Sequence, residues 1–367
     1  MNVVLSTLNS KFIHSSLALR YLKAYGEAHG QAYDIVEYTI NMPVLHILSD
    51  ITEHDIDILG FACYIWNIEM TLHVVDMVKA VRPDIKIVLG GPEVSFTADE
   101  LLERCPNIDY IVQGEGEEAF HALVMALQLG NDGLDPVIPG VRGRRDGSIL
   151  GSAEAVEVRD LSTIPFPYTE EDMEDLEHKI IYYESSRGCP FSCQYCLSGN
   201  KNTVRFFPQE RTLEELQWFI DHGVKQVKFV DRTFNCAPHH HRPLMEFMRD
   251  SDTDMNFHLE MEPELMTEWE TNILCETPPG RIQIEVGVQS THKKTLDAIN
   301  RYNDWPYIQK SIRPIMQAGR THVHMDLIVG LPHEDFNRFG QSFNDLFSLQ
   351  PHALQIGFLK LLKGSGV

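Results

Sequence analysis

The stretch Arg187-Gly188-Cys189-Pro190-Phe191-Ser192-Cys193-Gln194-Tyr195-Cys196 decides how the rest of the chain is read. It sets three cysteines within eight residues, as C-x3-C-x2-C, directly after the apolar run Ile180-Ile181-Tyr182-Tyr183. Three thiolates on one tight loop suit a cubane 4Fe-4S iron–sulfur cluster, which is normally held by four cysteines. With only three, one iron lacks a protein ligand and can take an outside molecule. A structural zinc site wants a second pair of Cys or His at matching spacing. His222 and His239 to His241 stand too far downstream for that. Three buried reduced cysteines would leave both the spacing and the Gly-Cys-Pro turn unexplained.

Downstream of the loop, apolar β-branched runs continue at Gln226 to Val230, Asn256 to Glu260, Arg281 to Gly287, His322 to Val329 and Leu354 to Leu361. With the run at Ile180 these make six βα units, which predicts a partial (β/α)6 barrel. Chemistry in parallel barrels collects at the C-terminal ends of the strands, where the cysteine loop falls. The chain closes on Gly364-Ser365-Gly366-Val367 without a sixth helix, so the natural protein is expected to continue.

Upstream, strands are expected at Asn2 to Ser6, Tyr33 to Thr39, Ile56 to Cys63, Ile85 to Leu89 and Tyr110 to Gln113. Amphipathic helices alternate with them, the pattern of a parallel sheet covered on both faces. This predicts an α/β chain whose N-terminal domain, residues 1–135, is a flavodoxin-like doubly wound parallel sheet. A Gly/Asp/Pro-rich stretch follows, with a hairpin expected to turn at Arg145-Asp146-Gly147. Ile164-Pro165-Phe166-Pro167 then reads as extended chain, because closely spaced prolines stop a helix. Residues 136–177 are thus expected as a linker with a hairpin, and 178–367 as the barrel domain.

Composition narrows the function classes. The 367 residues, 43% hydrophobic and 23% charged, have room for two or three globular domains. The formal net charge of −22 argues against a broad grip on nucleic acid, which needs Lys and Arg facing phosphates. The longest apolar stretches, such as Ile58 to Trp66, are about half a membrane span, and no secretory signal opens the chain, so no membrane partner is expected. Seven cysteines without regular pairing point to a reducing cytoplasm.

The cysteine loop, its place after the first strand, the aromatic Tyr195 before the last cysteine and the six βα units together resemble the radical SAM superfamily. That resemblance covers about Lys179 to Leu362 and carries elements of the coproporphyrinogen-oxidase-like and methylthiotransferase-like branches. It implies a cluster on Cys189, Cys193 and Cys196 whose open iron is chelated by S-adenosylmethionine, with reductive cleavage releasing a 5′-deoxyadenosyl radical. Phe229-Val230-Asp231-Arg232-Thr233-Phe234-Asn235 is similar to the segment that presents backbone groups to the methionine ammonium, which implicates Asp231, although the family's Gly-Gly-Glu form is absent. His258-Leu259-Glu260-Met261-Glu262-Pro263 resembles the Glu-x-x-Pro element, in which Glu260 accepts from the ammonium. In Glu285-Val286-Gly287-Val288-Gln289-Ser290, Gln289 is similar to a residue near the ribose. Arg301 resembles an arginine that pairs with the methionine carboxylate. Asp326-Leu327-Ile328-Val329-Gly330-Leu331-Pro332 implies Asp326 at the ribose hydroxyls and the Gly330 turn against the adenine. The chemistry agrees, since a zwitterion with a sulfonium needs an acceptor for its ammonium, a fork for its carboxylate and an acceptor for its hydroxyls.

The N-terminal half resembles the cobalamin-binding domain that precedes many radical SAM barrels. Leu89-Gly90-Gly91-Pro92-Glu93 and Gln113-Gly114-Glu115-Gly116-Glu117 carry the match, both after strands, where ligands of such sheets sit. Gly90, Gly91 and Gly114 are the residues implied, together with the loop from Ser6 to His14. The Asp-x-His-x-x-Gly signature that ligates cobalt through histidine is absent, and His14 stands without its Asp or Gly. Cobalamin is therefore expected to lack a protein histidine below the cobalt.

Other residues read as structural. Cys236, ahead of a solvated run His239-His240-His241, is expected to be a helix-entry residue and not a cluster ligand. Cys63 is expected in the core, and Cys105 and Cys275 lie near helix ends. With only Cys63 and Cys105 in the first half, the three extra cluster cysteines of a methylthiotransferase are missing. Acidic residues 170–177 read as a solvated face or a lid loop. The resemblance thus implies a cobalamin-dependent radical SAM methyltransferase acting on an unactivated centre of a small-molecule substrate, fed by an electron donor such as flavodoxin or ferredoxin. A cobalamin-dependent cyclisation or rearrangement enzyme keeps the same cofactors, and a non-catalytic cobalamin- or redox-sensing module keeps the binding without turnover.

Overall fold

A computed structural model of the protein describes residues 1–198 and 203–367. The chain divides into two compact units, Met1–Lys179 and Ile180–Val367.

In the first unit the strands are β1 (Val3–Asn9), β2 (Asp34–Thr39), β3 (Ile58–Ala62), β4 (Lys86–Gly90), β5 (Tyr110–Val112), β6 (Val141–Arg145) and β7 (Ser148–Gly151). The helices are α1 (Leu17–Ala28), α2 (Val44–Glu53), α3 (Ile68–Val81), α4 (Pro92–Ser95), α5 (Ala98–Arg104), α6 (Glu117–Gln128) and α7 (Glu170–Leu176). Among the described residues the sheet runs β2-β1-β3-β4-β5-β6-β7, parallel through β5. β3 is buried along its whole length, as Ile-Leu-Gly-Phe-Ala must be when helices cover both faces. One core holds Leu59, Val74 and Ile87, and the other holds Leu5, Phe120 and Leu123. The strand order reverses beside β1, so the loops after β1 and β3 open the crevice where ligands of doubly wound sheets bind.

The segment expected as a linker is instead built into this unit. β6 pairs antiparallel with the otherwise open edge of β5, matching Ile111 with Arg142, and β7 returns along β6. The expected turn is present, with Asp146 and Gly147 both at positive φ (49° and 79°), as a two-residue hairpin of type I′ requires. Val156 then bridges to Gly114, and the Glu115 carboxylate accepts from the Val158 N–H at 2.7 Å. The acidic segment forms α7 behind a Thr169/Asp172 capping box, and Asp172 accepts from the buried Arg20 guanidinium at 2.5 Å. Burial of β5's edge and of Arg20 is what ties residues 136–177 to the first sheet.

In the second unit the strands are β8 (Ile181–Tyr183), β9 (Ser186–Gly188), β10 (Val204–Phe206), β11 (Gln226–Phe229), β12 (Asn256–Glu260), β13 (Ile282–Gln289), β14 (His322–Val329) and β15 (Ala353–Phe358). The helices are α8 (Gln209–Asp221), α9 (Pro238–Asp250), α10 (Glu268–Glu276), α11 (Lys293–Ala298), α12 (Trp305–Ala318) and α13 (Phe336–Phe347). β8 and β11 to β15 form a six-stranded, all-parallel sheet in chain order, the succession of a (β/α) barrel. β9 and β10 pair apart from it as a short antiparallel ribbon.

The two faces of the second sheet differ. On one face Val227, Phe229, Phe257, Leu259, Ile284, Val286, Met325 and Leu327 are all buried. Alternate positions carry Lys228, His258, Glu260, Glu285, Gln289, His324 and Asp326. A parallel sheet covered by helices on both sides would be apolar throughout. The period-two switch to charge marks the face left for a ligand. No helix of the described residues is long and apolar enough to cross a membrane.

Candidate active site

The cysteine loop leaves β9 through Gly188, whose φ is +102° and whose place a Cβ would contest at 2.1 Å from the Thr203 carbonyl. Only glycine fits there, which accounts for the Gly before Cys189. Beyond it Cys189, Cys193 and Cys196 line a cavity of ≈ 240 Å³ together with the strand-end residues Glu260, Glu285, Gln289 and Asp326. Among the described residues no three His, Cys, Asp or Glu side chains are grouped for a single metal ion. Three thiols spread around one cavity suit a cubane, in which each cysteine meets a different iron. Each sulfur already has a polar neighbour: Thr233 Oγ1 at 3.4 Å from Cys189, the Ser198 N–H donating to Cys196 at 3.4 Å, and Arg301 Nη1 at 3.6 Å from Cys193.

Of the residues singled out from sequence, Tyr195, Glu260, Gln289, Arg301 and Asp326 also border this cavity. The Glu260 carboxylate accepts no hydrogen bond among the described residues, and burial pushes its pKa up, Arg232 and Lys228 pulling the other way. Gln289 holds φ at +67° beside a β-bulge between Gly287 and Gln289, a backbone state of the kind stored at ligand sites. Its amide lies over Gly287, 2.3 Å from where a Cβ would stand. Asp326 is raised by burial, with His324 Nε2 3.2 Å away opposing it and Glu285 adding to it.

Three singled-out residues are placed elsewhere. Asp231 does not line the cavity; its buried carboxylate accepts from Ser185 N at 2.9 Å, Ser185 Oγ at 2.7 Å and Ser186 Oγ at 2.6 Å. It fixes the entry to the cysteine loop, and its neighbours Arg232 and Thr233 reach the cavity instead. Gly330 forms an exposed turn after β14, at φ +95°, outside the cavity lining. Gly114 is closed over by its own chain, since a Cβ would fall 2.2 Å from the Val156 carbonyl.

Sequence reasoning missed a charged cluster on the same face. Glu285 accepts from Lys228 Nζ and His258 Nε2, both at 3.1 Å, and these partners hold its carboxyl well below the usual range against burial. Glu262 pairs with Arg301 at 2.8 Å. The signal was present: stepping back two residues along the strand from Glu260, Gln289 or Asp326 stays on one face and reaches His258, Gly287 then Glu285, and His324. The histidine run is also corrected. His239 is exposed, but His240 and His241 are buried, His240 on Ser185 Oγ at 3.0 Å and His241 on Glu270 at 3.0 Å, because they occupy the inner side of α9. Cys236 is half-buried off the cavity, its thiol pushed up to about 11 by burial.

In the first unit, Gly91 (φ +103°) is required by its own fold, since a Cβ would meet the Cys63 carbonyl at 2.6 Å. At Gly90 the nearest atom to an added Cβ is Val112 O at 3.7 Å, which leaves the space above it open. Large apolar side chains stand exposed after three strand ends: Phe12 (68%) after β1, Trp66 (47%) after β3 and Phe96 (47%) after β4. Trp66 stacks on Tyr64 at 4.5 Å. Exposed rings beside an open glycine at strand ends suit a broad, partly apolar ligand such as a corrin.

Comparison with known proteins fits this division. The B12 binding domain model matches residues 3–124 and the Radical SAM superfamily model matches residues 183–346. The chain is 28% identical over 359 residues to the cobalamin-dependent radical SAM methyltransferase TokK of Streptomyces tokunonensis, covering 91% of this chain and 51% of that protein. It is 27% identical over 320 residues to the 2-(S-pantetheinyl)-carbapenam-3-carboxylate methyltransferase of Streptantibioticus cattleyicolor, covering 81% and 46%. The chain thus spans about half the length of these curated relatives. The solved structure of the radical S-adenosylmethionine methyltransferase TsrM from Kitasatospora setae, with cobalamin and a [4Fe-4S] cluster bound, superposes with a TM-score of 0.82 at 15% identity, over 100% of this chain and 77% of that one, a likeness of fold.

Proposed function

We propose that the chain, in which the B12 binding domain model matches residues 3–124 and the Radical SAM superfamily model matches residues 183–346, is a cobalamin-dependent radical SAM enzyme that methylates an unactivated carbon or phosphorus centre of a small molecule. The observation that carries this reading is one cavity bordered both by the three loop cysteines and by Glu260, Gln289 and Asp326. When bound, a cluster and S-adenosylmethionine supply one-electron cleavage at a sulfonium, and cobalamin supplies methyl transfer.

The chain's own residues position and shield these groups. Cys189, Cys193 and Cys196 hold the cluster as three of the four ligands it normally takes, leaving one iron for the cosubstrate. Glu260, half-buried and lacking a hydrogen-bond partner among the described residues, offers a carboxylate to the methionine ammonium. Asp326 and Gln289 offer oxygen and amide groups to the ribose, Gln289 aimed there by its left-handed backbone. Glu285, fixed by Lys228 and His258, keeps the sheet face beneath them rigid. The open space at Gly90 with the exposed Phe12, Trp66 and Phe96 serves cobalamin in the first unit. A low-potential donor of flavodoxin or ferredoxin type in a reducing cytoplasm completes the proposal.

Anaerobically reconstituted protein given S-adenosylmethionine, a strong reductant and candidate substrates is expected to form 5′-deoxyadenosine and a product heavier by one CH2. Cys193→Ala should lose both products together with the cluster's visible absorption. Turnover without the CH2 increment would replace methyl transfer by another radical reaction, and absence of any S-adenosylmethionine cleavage would remove the reading.

A further inference from the structure

The Arg301 guanidinium is already engaged within the protein. Nη2 donates to Glu262 Oε2 at 2.8 Å and to the Gly287 carbonyl, and Nη1 reaches Cys193 Sγ at 3.6 Å and the Tyr195 hydroxyl at 3.5 Å. Both members of the ion pair are buried, with 10% and 9% of their side-chain surface exposed. A guanidinium keeps its charge at any ordinary pH, so the donor that faces Cys193 is a cation. Among the described residues Nε is left without a hydrogen-bond partner. A ligand carboxylate could claim Nη2 only by displacing Glu262, and breaking a buried pair leaves an uncompensated charge.

The backbone around Arg301 is stitched to the cysteine loop. Gln194 N–H donates to the Ile299 carbonyl at 2.9 Å. Asn300, held at φ +51°, donates through Nδ2 to the Ser192 carbonyl at 3.1 Å and to Ser192 Oγ at 2.6 Å. Tyr195 packs against Leu296, Ile299 and Leu331. The segment after α11 therefore grips the loop on both sides of Cys193 and delivers one cation to that sulfur. Among the described residues the polar neighbours of the other two cysteines are neutral: the Thr233 hydroxyl and the Phe191 amide at Cys189, and the Ser198 amide at Cys196.

We propose that Arg301, anchored by Glu262, is a positioning residue for the iron–sulfur cluster: it donates a charge-assisted hydrogen bond to the Cys193 ligand sulfur and thereby raises the potential at which the cluster takes up its electron. This rests on the cluster assignment above and is separate from the carboxylate role implied for Arg301 by resemblance. Hydrogen bonds to ligand sulfurs and nearby net charge both tune such potentials. A positive donor stabilises the reduced, more negative cluster more than the oxidised one. Glu262 holds the fork in register and partly neutralises it, so the two residues act on the potential with opposite signs.

The test is a potentiometric titration of reconstituted protein without S-adenosylmethionine, followed by electron paramagnetic resonance, with iron counted in each sample. Arg301→Gln is expected to retain iron but to lower the equilibrium constant for reduction about tenfold, about 59 mV more negative for one electron. Glu262→Gln is expected to shift it the other way, and Arg301→Lys to recover part of the loss. Should Arg301→Gln take up no iron, the decision passes to Glu262→Gln and Arg301→Lys. Potentials equal to wild type in the variants that load would overturn the inference. A wild-type protein that takes up no iron would instead bring down the cluster assignment itself, a distinct failure.

Discussion

Replacing Glu260 by Gln should change ligand binding and stability in opposite directions. The carboxylate is half-buried, accepts no hydrogen bond among the described residues and has its pKa raised, with desolvation the largest cause. Around it Arg232 and Lys228 favour the charge, and Glu285 and Asp326 oppose it. A carboxyl whose folded pKa lies above its unfolded value of about 4.3 destabilises the fold above the folded pKa, and this penalty fades as pH falls through that value. Glutamine keeps the shape without the charge, so the ligand-free variant should gain on the order of 1 kcal/mol near pH 8, within the range for a buried polar group lacking partners. For a unit of this size that raises the melting midpoint by about 2–4 °C. Binding should weaken, because a charge-assisted hydrogen bond contributes about 1.5–3 kcal/mol, or about 10- to 150-fold in Kd. Isothermal titration of the reconstituted protein with S-adenosylmethionine, beside scanning calorimetry without it at several pH values, measures both. Unchanged affinity with a lowered midpoint would refute the reasoning, since it would make Glu260 a structural residue.

Two further outcomes separate structural from ligand-facing positions. Gly91→Ala forces a Cβ to 2.6 Å from the Cys63 carbonyl at φ +103°, and should cost about 1–3 kcal/mol with or without cobalamin; Gly90→Val, where the space is open, should keep the melting midpoint of the ligand-free protein but lose bound cobalt. Glu285→Gln removes the acceptor shared by Lys228 and His258 and should cost about 2 kcal/mol at pH 7, less than the 3–5 kcal/mol of a fully buried pair because Lys228 keeps some solvent. Because the Glu285 pKa is depressed, its stabilisation is present above the unfolded value of about 4.3, so urea melts of wild type and variant should converge as pH falls below it.

The order of elements and the cavity-lining cysteines were legible because both rest on local patterns. Strand–helix alternation gave the two sheets, and the C-x3-C-x2-C spacing marked the loop that borders the cavity. What was not legible depended on tertiary pairing. Residues 136–177 look like a linker in sequence, and only the unpaired edge of β5 makes a sheet extension of them. Gly91 and Gly114 look like ligand cradles, yet the close approach they permit is to Cys63 and Val156. Asp231 sits in the right motif, but its neighbours Ser185 and Ser186 take up its carboxylate. Glu285 and Glu262 were in quoted motifs without a role, because their partners come from other strands and loops.

The central claim, a radical SAM cluster in one unit and cobalamin in the other, is tested most directly by metal analysis. Protein reconstituted anaerobically with iron, sulfide and cobalamin would be assayed for iron, sulfide and cobalt alongside its ultraviolet–visible spectrum. The account predicts about four irons and one cobalt per chain, with the iron, but not the cobalt, lost in Cys193→Ala. Iron without cobalt would contradict the cobalamin assignment, and a chain that binds neither would contradict the account as a whole.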